Sequence, residues 1–215
     1  CLSFLSALNI AASLIQSKTY KKILIVSADR GSIGRNYNEP ESASLLGDAS
    51  AAIYIEYSNN KKQGIIDFEM NSWPKGAHLT EVRGGGTNLH PQDSQTKDSD
   101  NLFTMKGSEV FKFSLPKTYE IILKILKRNN LSQDDIDLLI PHQASGKGVK
   151  AYSKYGGYDS NKIMDIVNIT GNCVAASLPL ALTMALENNL IKKNNIIQLV
   201  GTGAGLSIAS SIVRL

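Results

Sequence analysis

Asp135-Ile136-Asp137-Leu138-Leu139-Ile140-Pro141-His142-Gln143-Ala144 is the stretch from which the architecture of this chain can be read. An apolar run of strand length stops on a proline, and a histidine follows at once. A strand covered on both faces reads as such a continuous run, whereas one with a wet face alternates. The flanking sequence repeats the motif. Residues 22–27 (KILIVS), 51–57 (AAIYIEY), 163–167 and 196–200 read as further strands, and 64–71 has strand character after the turn 58–63. A last strand, 207–215, follows the glycine turn Gly201-Thr202-Gly203-Ala204-Gly205.

Between them lie helical patterns. Residues 105–129 carry Val110, Phe111, Phe113, Ile121, Ile122, Ile125 and Leu126 at helical spacing, with Pro116 expected to kink or interrupt the run. Residues 145–155 form a short helix stopped by Gly156-Gly157. Residues 2–17 and 173–190 are small or apolar on nearly every side, so both helices are expected to be buried all round, sandwiched between two sheets. Alternating strands and helices predict α/β layers, here a five-layer order. Residues 28–46 read as a long polar connection, and 73–104, rich in Pro and Gly, as a loop of the length usually reserved for function or a lid.

Composition narrows the function classes. With 215 residues, 42% hydrophobic and 20% charged, the chain can bury a real core as one large domain or two small ones. No apolar run approaches the roughly 20 residues that span a bilayer, so no membrane partner is expected. The first residues lack the basic flank and cleavage site of a signal peptide. Cys1 and Cys173 are the two cysteines, too few for a disulfide framework and in keeping with a reducing cytoplasm. The net charge of +4 is mild, and the pairs Lys21-Lys22, Lys61-Lys62 and Lys192-Lys193 read as solvated edges. Without a basic stripe interleaved with aromatics, no nucleic-acid partner is expected. A basic surface of this size suits an acidic protein or a phosphorylated ligand. Because the chain starts on Cys1 inside an apparent helix, it is expected to be either a processed protein or a fragment that lacks upstream sequence.

Three side chains stand where a scaffold can aim them. Cys1 opens a helix, whose unpaired N–H groups and dipole favour a thiolate. His142 lies beyond the carboxyl end of a strand, the place where open α/β sheets bind ligands. Asn172 precedes Cys173 at the head of the second apolar helix, where an asparagine also serves as an N-cap. His78 and His90 have no such placement. Each residue alone has a bland reading: packing, solvation or capping.

Together they resemble the ketoacyl-acyl-carrier-protein synthase III group of the thiolase superfamily. Cys1-Leu2-Ser3-Phe4 resembles its nucleophile segment, and Gly47-Asp48-Ala49-Ser50-Ala51-Ala52 its Gly-Asp-Gly-Ala strand entry. Met105-Lys106-Gly107-Ser108-Glu109-Val110-Phe111 is similar to Met-x-Gly-x-Glu-Val-Phe. Pro141-His142-Gln143-Ala144 resembles the histidine motif, Gly171-Asn172 with Ala175-Ala176-Ser177-Leu178-Pro179 the asparagine motif, and Gly203-Ala204-Gly205-Leu206-Ser207 the glycine turn.

The resemblance implies a thiolase-like layered α/β/α/β/α fold, incomplete in its N-terminal half: residues 1–60 end the first half and 61–215 form the second. It implies catalysis by Cys1, His142 and Asn172, with backbone N–H groups of Cys1 and of the turn Gly203, Ala204 and Gly205 as an oxyanion hole. Acyl-CoA and acyl carrier protein are the implied partners, in a homodimer, with no cofactor and no metal. Gln143, Lys147 and Lys150 are the implied carrier contacts. Two departures bear on specificity. Ala144-Ser145-Gly146-Lys147-Gly148 replaces the family's more basic Ala-Asn-Leu-Arg, leaving Lys147, with Lys150 and Lys154 on the same helix face. Leu206-Ser207-Ile208 stands where some members have Phe-Thr-Trp. Two other readings stay open: an acyltransferase of the same fold with a non-malonyl acceptor, and an N-terminal cysteine hydrolase whose own amine is the base.

Overall fold

The computed structural model describes all 215 residues. In chain order the elements are α1 (Ser3–Gln16), β1 (Lys22–Arg30), α2 (Pro40–Ala43), β2 (Asp48–Glu56), β3 (Gly64–Ser72), β4 (Thr80–Val82) and β5 (Phe103–Met105). There follow α3 (Gly107–Arg128), β6 (Leu138–Pro141), α4 (Gly146–Gly156), α5 (Val167–Thr170), α6 (Ser177–Glu187), β7 (Ile196–Gly203) and β8 (Ser207–Arg214).

Four layers stack in order. The first is the antiparallel pair β1–β2, in register from Lys22 opposite Glu56 to Arg30 opposite Asp48. The second is made of α1 and α6, and the third is a four-stranded sheet in the order β3-β8-β7-β6. Only β6 and β7 run parallel in that sheet. The fourth layer is α3 and α4. A core of 18 buried residues joins the first three layers, taking Phe4, Leu5 and Leu8 from α1, Ile25 from β1, Leu178 and Leu182 from α6, and Ile140 and Leu199 from the sheet. A second core, with Ile122, Ile125 and Leu126 against Leu139, Val200 and Ile212, fixes α3 to the far face. These clusters explain the unbroken apolar runs of β6 and β7: both faces of the sheet carry helices.

Several expectations need correction. α1 is not buried all round, since Ile10 is 58% exposed while Phe4, Leu5, Leu8, Ala11 and Ile15 face the core. The outer face of β1–β2 is likewise apolar and open, with Leu24, Val26 and Tyr54 more than half exposed. Pro116 does not interrupt α3, which runs unbroken from Gly107 to Arg128. The ring removes one rung, and the burial of Ser114, Thr118, Ile121 and Ile122 on the sheet side holds the turns on either side of it. The stretch 73–104 is no free loop. It contains β4, pairs that strand with β5, and is pinned where Trp73 N donates to Leu206 O.

The strand expected at 163–167 shrinks to a single bridge between Ile163 and Leu139. The cause is Gln143. Its Nε2 donates to Pro141 O and Met164 O, and its Oε1 accepts from Ile166 N. A side chain thus takes the backbone partners that a ladder would have used. The helix expected from 173 starts as a tight turn, Val174–Ala176, and becomes α-helical only from Ser177.

Candidate active site

β7 is the organising strand. His142 N donates to Val200 O at 2.7 Å, continuing the parallel ladder one residue beyond β6. One and three residues on, at Gly201 and Gly203, β7 meets the head of α1. A Cβ on Gly201 would lie 2.6 Å from Leu2 Cδ2, and one on Gly203 would lie 3.2 Å from Leu2 Cγ and 3.8 Å from Leu2 N. Glycine at both places is what lets the Cys1–Leu2 segment lie against the strand. Cys1 is half-buried there. The glycine turn closes the β7–β8 hairpin, with Gly203 opposite Ser207 and Gly205 at φ 128°. Its own position is set by Gly76, where a Cβ would fall 2.7 Å from Leu206 Cβ.

His142 is 5% exposed, and its Nδ1 has no hydrogen-bond partner. Burial pushes the imidazole pKa down to about 3. The ring is therefore neutral at physiological pH, with one N–H to donate.

Asn172 sits in a strained turn. Asn172 N donates to Leu45 O at 2.6 Å, and Gly47 N donates to Asn172 O at 2.9 Å. A Cβ on Gly47 would stand 2.0 Å from Thr170 O, which explains the glycine of the Gly47-Asp48 motif. Asp48 beside it accepts from Ser32 N and Ser32 Oγ, and these bonds, the side-chain one first, hold its carboxyl below the ordinary value. Gly171 and Val174 have positive φ, 67° and 51°. For a β-branched residue this left-handed conformation costs roughly 1–2 kcal/mol. Val174 N donates to Asn172 Oδ1 at 3.0 Å. That bond fixes the carboxamide with its oxygen turned into the turn, leaving Nδ2 as the free donor. Cys173 is buried, and burial pushes its thiol pKa up, so it is a packing residue.

The turn reaches the head of α1 through Ala175, which lines with Ser3, Phe4 and Ala7 a groove of about 270 Å³ between α1 and β1. The elements carrying Cys1, His142, Asn172 and the glycine turn therefore meet at one end of the middle layer. Gln143 must be withdrawn as a carrier contact. It is wholly buried with its hydrogen bonds spent on backbone, so no partner can touch it. Lys147 and Lys150 are exposed on α4, which Ser145 caps through Gly148 N. Asp29, at the end of β1, escaped notice in the sequence although its Oδ2 accepts from Ala176 N at 2.9 Å. The acidic residue closing an apolar strand was the available signal. No cluster of three or more His, Cys, Asp or Glu side chains is placed to hold a metal ion.

The comparisons with known proteins point the same way. A family model described as 3-oxoacyl-[acyl-carrier-protein] synthase III matches residues 1–74. The model of that family's C-terminal part matches residues 126–215. The chain is 35% identical over 214 residues to a beta-ketoacyl-[acyl-carrier-protein] synthase III of Clostridioides difficile, covering 100% of this chain and 65% of that protein. It is 33% identical to the Clostridium tetani protein of the same name, covering 66% of it. Among solved structures, the Aquifex aeolicus 3-oxoacyl-[acyl-carrier-protein] synthase III superposes with a TM-score of 0.88 at 25% identity, and the Thermus thermophilus enzyme with 0.89 at 27%. All of this chain and 65% of each of those chains are covered. The chain thus spans about two thirds of the length of the relatives it matches.

Proposed function

The chain belongs to the 3-oxoacyl-[acyl-carrier-protein] synthase III family of the thiolase superfamily, and from that premise we propose that it carries out decarboxylative condensation through an acyl-cysteine. The observation that supports this reading best is the convergence on β7, where His142 bonds Val200 and Cys1–Leu2 packs on Gly201 and Gly203.

In the first half-reaction the Cys1 thiolate attacks the thioester carbon of an acyl-CoA. The carbonyl oxygen takes up the charge, and N–H groups of Cys1 and of the turn around Ala204 receive it. The C–S bond to CoA breaks, CoA leaves as its thiolate and takes a proton from solvent, and the acyl group stays on Sγ. In the second, a malonyl thioester on acyl carrier protein replaces CoA. Its C–CO₂ bond breaks, the electron pair passes into an enolate, and the enolate oxygen accepts hydrogen bonds from the neutral His142 ring and from Asn172 Nδ2. The enolate carbon then attacks the acyl-cysteine carbonyl, giving a 3-ketoacyl thioester and freeing the thiolate. Preorganised donors of this kind are worth roughly 3–4 kcal/mol each. A neutral ring suits the role, because an imidazolium would have to be discharged before it could be buried.

Lys147 and Lys150, exposed on α4 a few residues after His142, supply the positive charge for an acidic carrier. Work in the cytoplasm as a homodimer completes the proposal, and no helix is long and apolar enough to cross a membrane. The test is ¹⁴C-malonyl-carrier with an acyl-CoA primer. Release of labelled carbon dioxide together with a mass increment on Cys1 supports condensation. Acylation of Cys1 without release moves the reading to transfer onto a different acceptor.

A further inference from the structure

Asp29 is the side chain that the chemistry above leaves unused, and it touches both halves of the site. It closes β1, lines the groove beside Ser3 and Ala175, and accepts from Ala176 N across 147 residues of sequence. The turn it grips is held under strain: Val174 has φ 51°, and a conformation that a β-branched residue avoids persists only where its surroundings over-determine it.

The other restraints on that turn are of a different kind. Val174 N to Asn172 Oδ1, Cys173 N to Ser177 Oγ and Cys173 Sγ to Thr170 O all lie within residues 170–177. Backbone bonds from Leu45 and Gly47 tie it to the entry of β2. Asp29 alone brings a charged acceptor, and its bond to Ala176 N is the hydrogen bond that joins the turn to β1, the strand packed along α1. Charge-assisted bonds to backbone N–H groups are about twice as strong as neutral ones.

We propose that Asp29 is a positioning residue, a strut that sets the Asn172 carboxamide at its working distance from the Cys1 sulfur by holding the turn 172–176 against β1. Asp29 touches no reacting atom. It acts on Asn172 through the Ala176 N–H and the strained Val174. The proposal rests on the condensing-enzyme reading, in which Asn172 serves the decarboxylation and not the acylation.

Two variants of the complete protein separate the outcomes. Asp29→Asn keeps an oxygen acceptor of the same reach, and Asp29→Ala removes it. Asp29→Ala is expected to lower carbon dioxide release from malonyl-carrier by 10- to 100-fold while acylation of Cys1 by acyl-CoA changes less than threefold. Asp29→Asn is expected to restore release to within about fivefold of the unaltered protein. Parallel loss of both half-reactions, or equal loss in the two variants, overturns the strut. Amide hydrogen exchange read by mass spectrometry gives a second measure that needs no turnover. Residues 172–176 should exchange at least tenfold faster in Asp29→Ala, with the core of α3 unchanged. No acceleration there refutes the proposal even if the protein proves to release no carbon dioxide, a result that would sink the condensing reading instead.

Discussion

Gly47→Ala tests the geometry of the site most directly. The added Cβ would stand 2.0 Å from Thr170 O, 3.1 Å from Thr170 C and 3.2 Å from Cys173 Sγ. The first two atoms are backbone and cannot rotate away. Ordinary contact distances begin a little above 3 Å, so the entry of β2 and the 170–173 turn must part by roughly 1 Å, a displacement that can cost 10²-fold in rate. The bonds from Gly47 N to Asn172 O and from Asn172 N to Leu45 O lie across that seam. Losing both costs about 2 kcal/mol, and overpacking adds about 1–3 kcal/mol, so about 3–5 kcal/mol of stability should go. For a chain of this size that lowers the melting temperature by roughly 6–20 °C. Differential scanning fluorimetry reads the stability, and the two half-reactions, assayed separately, read the site. Carbon dioxide release should fall about 100-fold, and Cys1 acylation by much less. A variant that melts within 2 °C of the parent and condenses within about threefold of it would refute the account of how Asn172 is placed.

His142→Ala should abolish decarboxylation, a loss of about 10²–10³-fold, yet leave self-acylation measurable; equal loss of both steps counts against the assigned roles. With its folded pKa near 3, His142 contributes no titration between pH 5 and 8, so an acid limb there that vanishes in His142→Gln would contradict its neutral state. Gln143→Ala orphans Pro141 O, Met164 O and Ile166 N and should cost about 2–5 kcal/mol of stability, measured by urea denaturation, without a specific rise in the carrier-substrate KM. Arg128 pairs with Asp67 and Glu69, joining the end of α3 to β3. Burial raises Asp67, but bonds from Arg128, Asn129 and Phe68 N outweigh it; in Glu69 the Lys124 bond leads, and both carboxyls lie below their ordinary values. Their stabilisation is thus present above the unfolded-chain pKa and fades as pH falls through the depressed folded values. Arg128→Ala should melt a few degrees lower at pH 7, and the gap should close as the pH drops below about 4.

How far could the sequence lead? The run 138–141 declared a strand covered on both sides because composition alone carries that signal, and the histidine after it inherited its place. Gly201 and Gly203 read as turn glycines, whereas both lie inside β7 and let Leu2 approach it closely. What stayed hidden came from side chains that do backbone work. Gln143 reads as polar and available, yet it replaces a strand ladder, and nothing in its neighbours announces this. Val174 looks like an ordinary helix residue, since no propensity indicates a left-handed valine. Asp29 finds its partner 147 residues away, beyond the reach of any local pattern. Ile10 misled in the opposite direction, being apolar on an open face.

That same reach has a bearing on biosynthesis. The Asp29–Ala176 bond exists only once the chain has reached residue 176, and the seat of Leu2 on Gly201 and Gly203 only once the final hairpin is being made. During translation α1 is made well before β7 and β8 and waits for them. Long-range closure of this sort is slow, and an unsheltered thiol is open to oxidation meanwhile. Yield and activity of recombinant material should therefore respond to growth temperature and to reductant in the lysis buffer more than the finished molecule's stability would suggest.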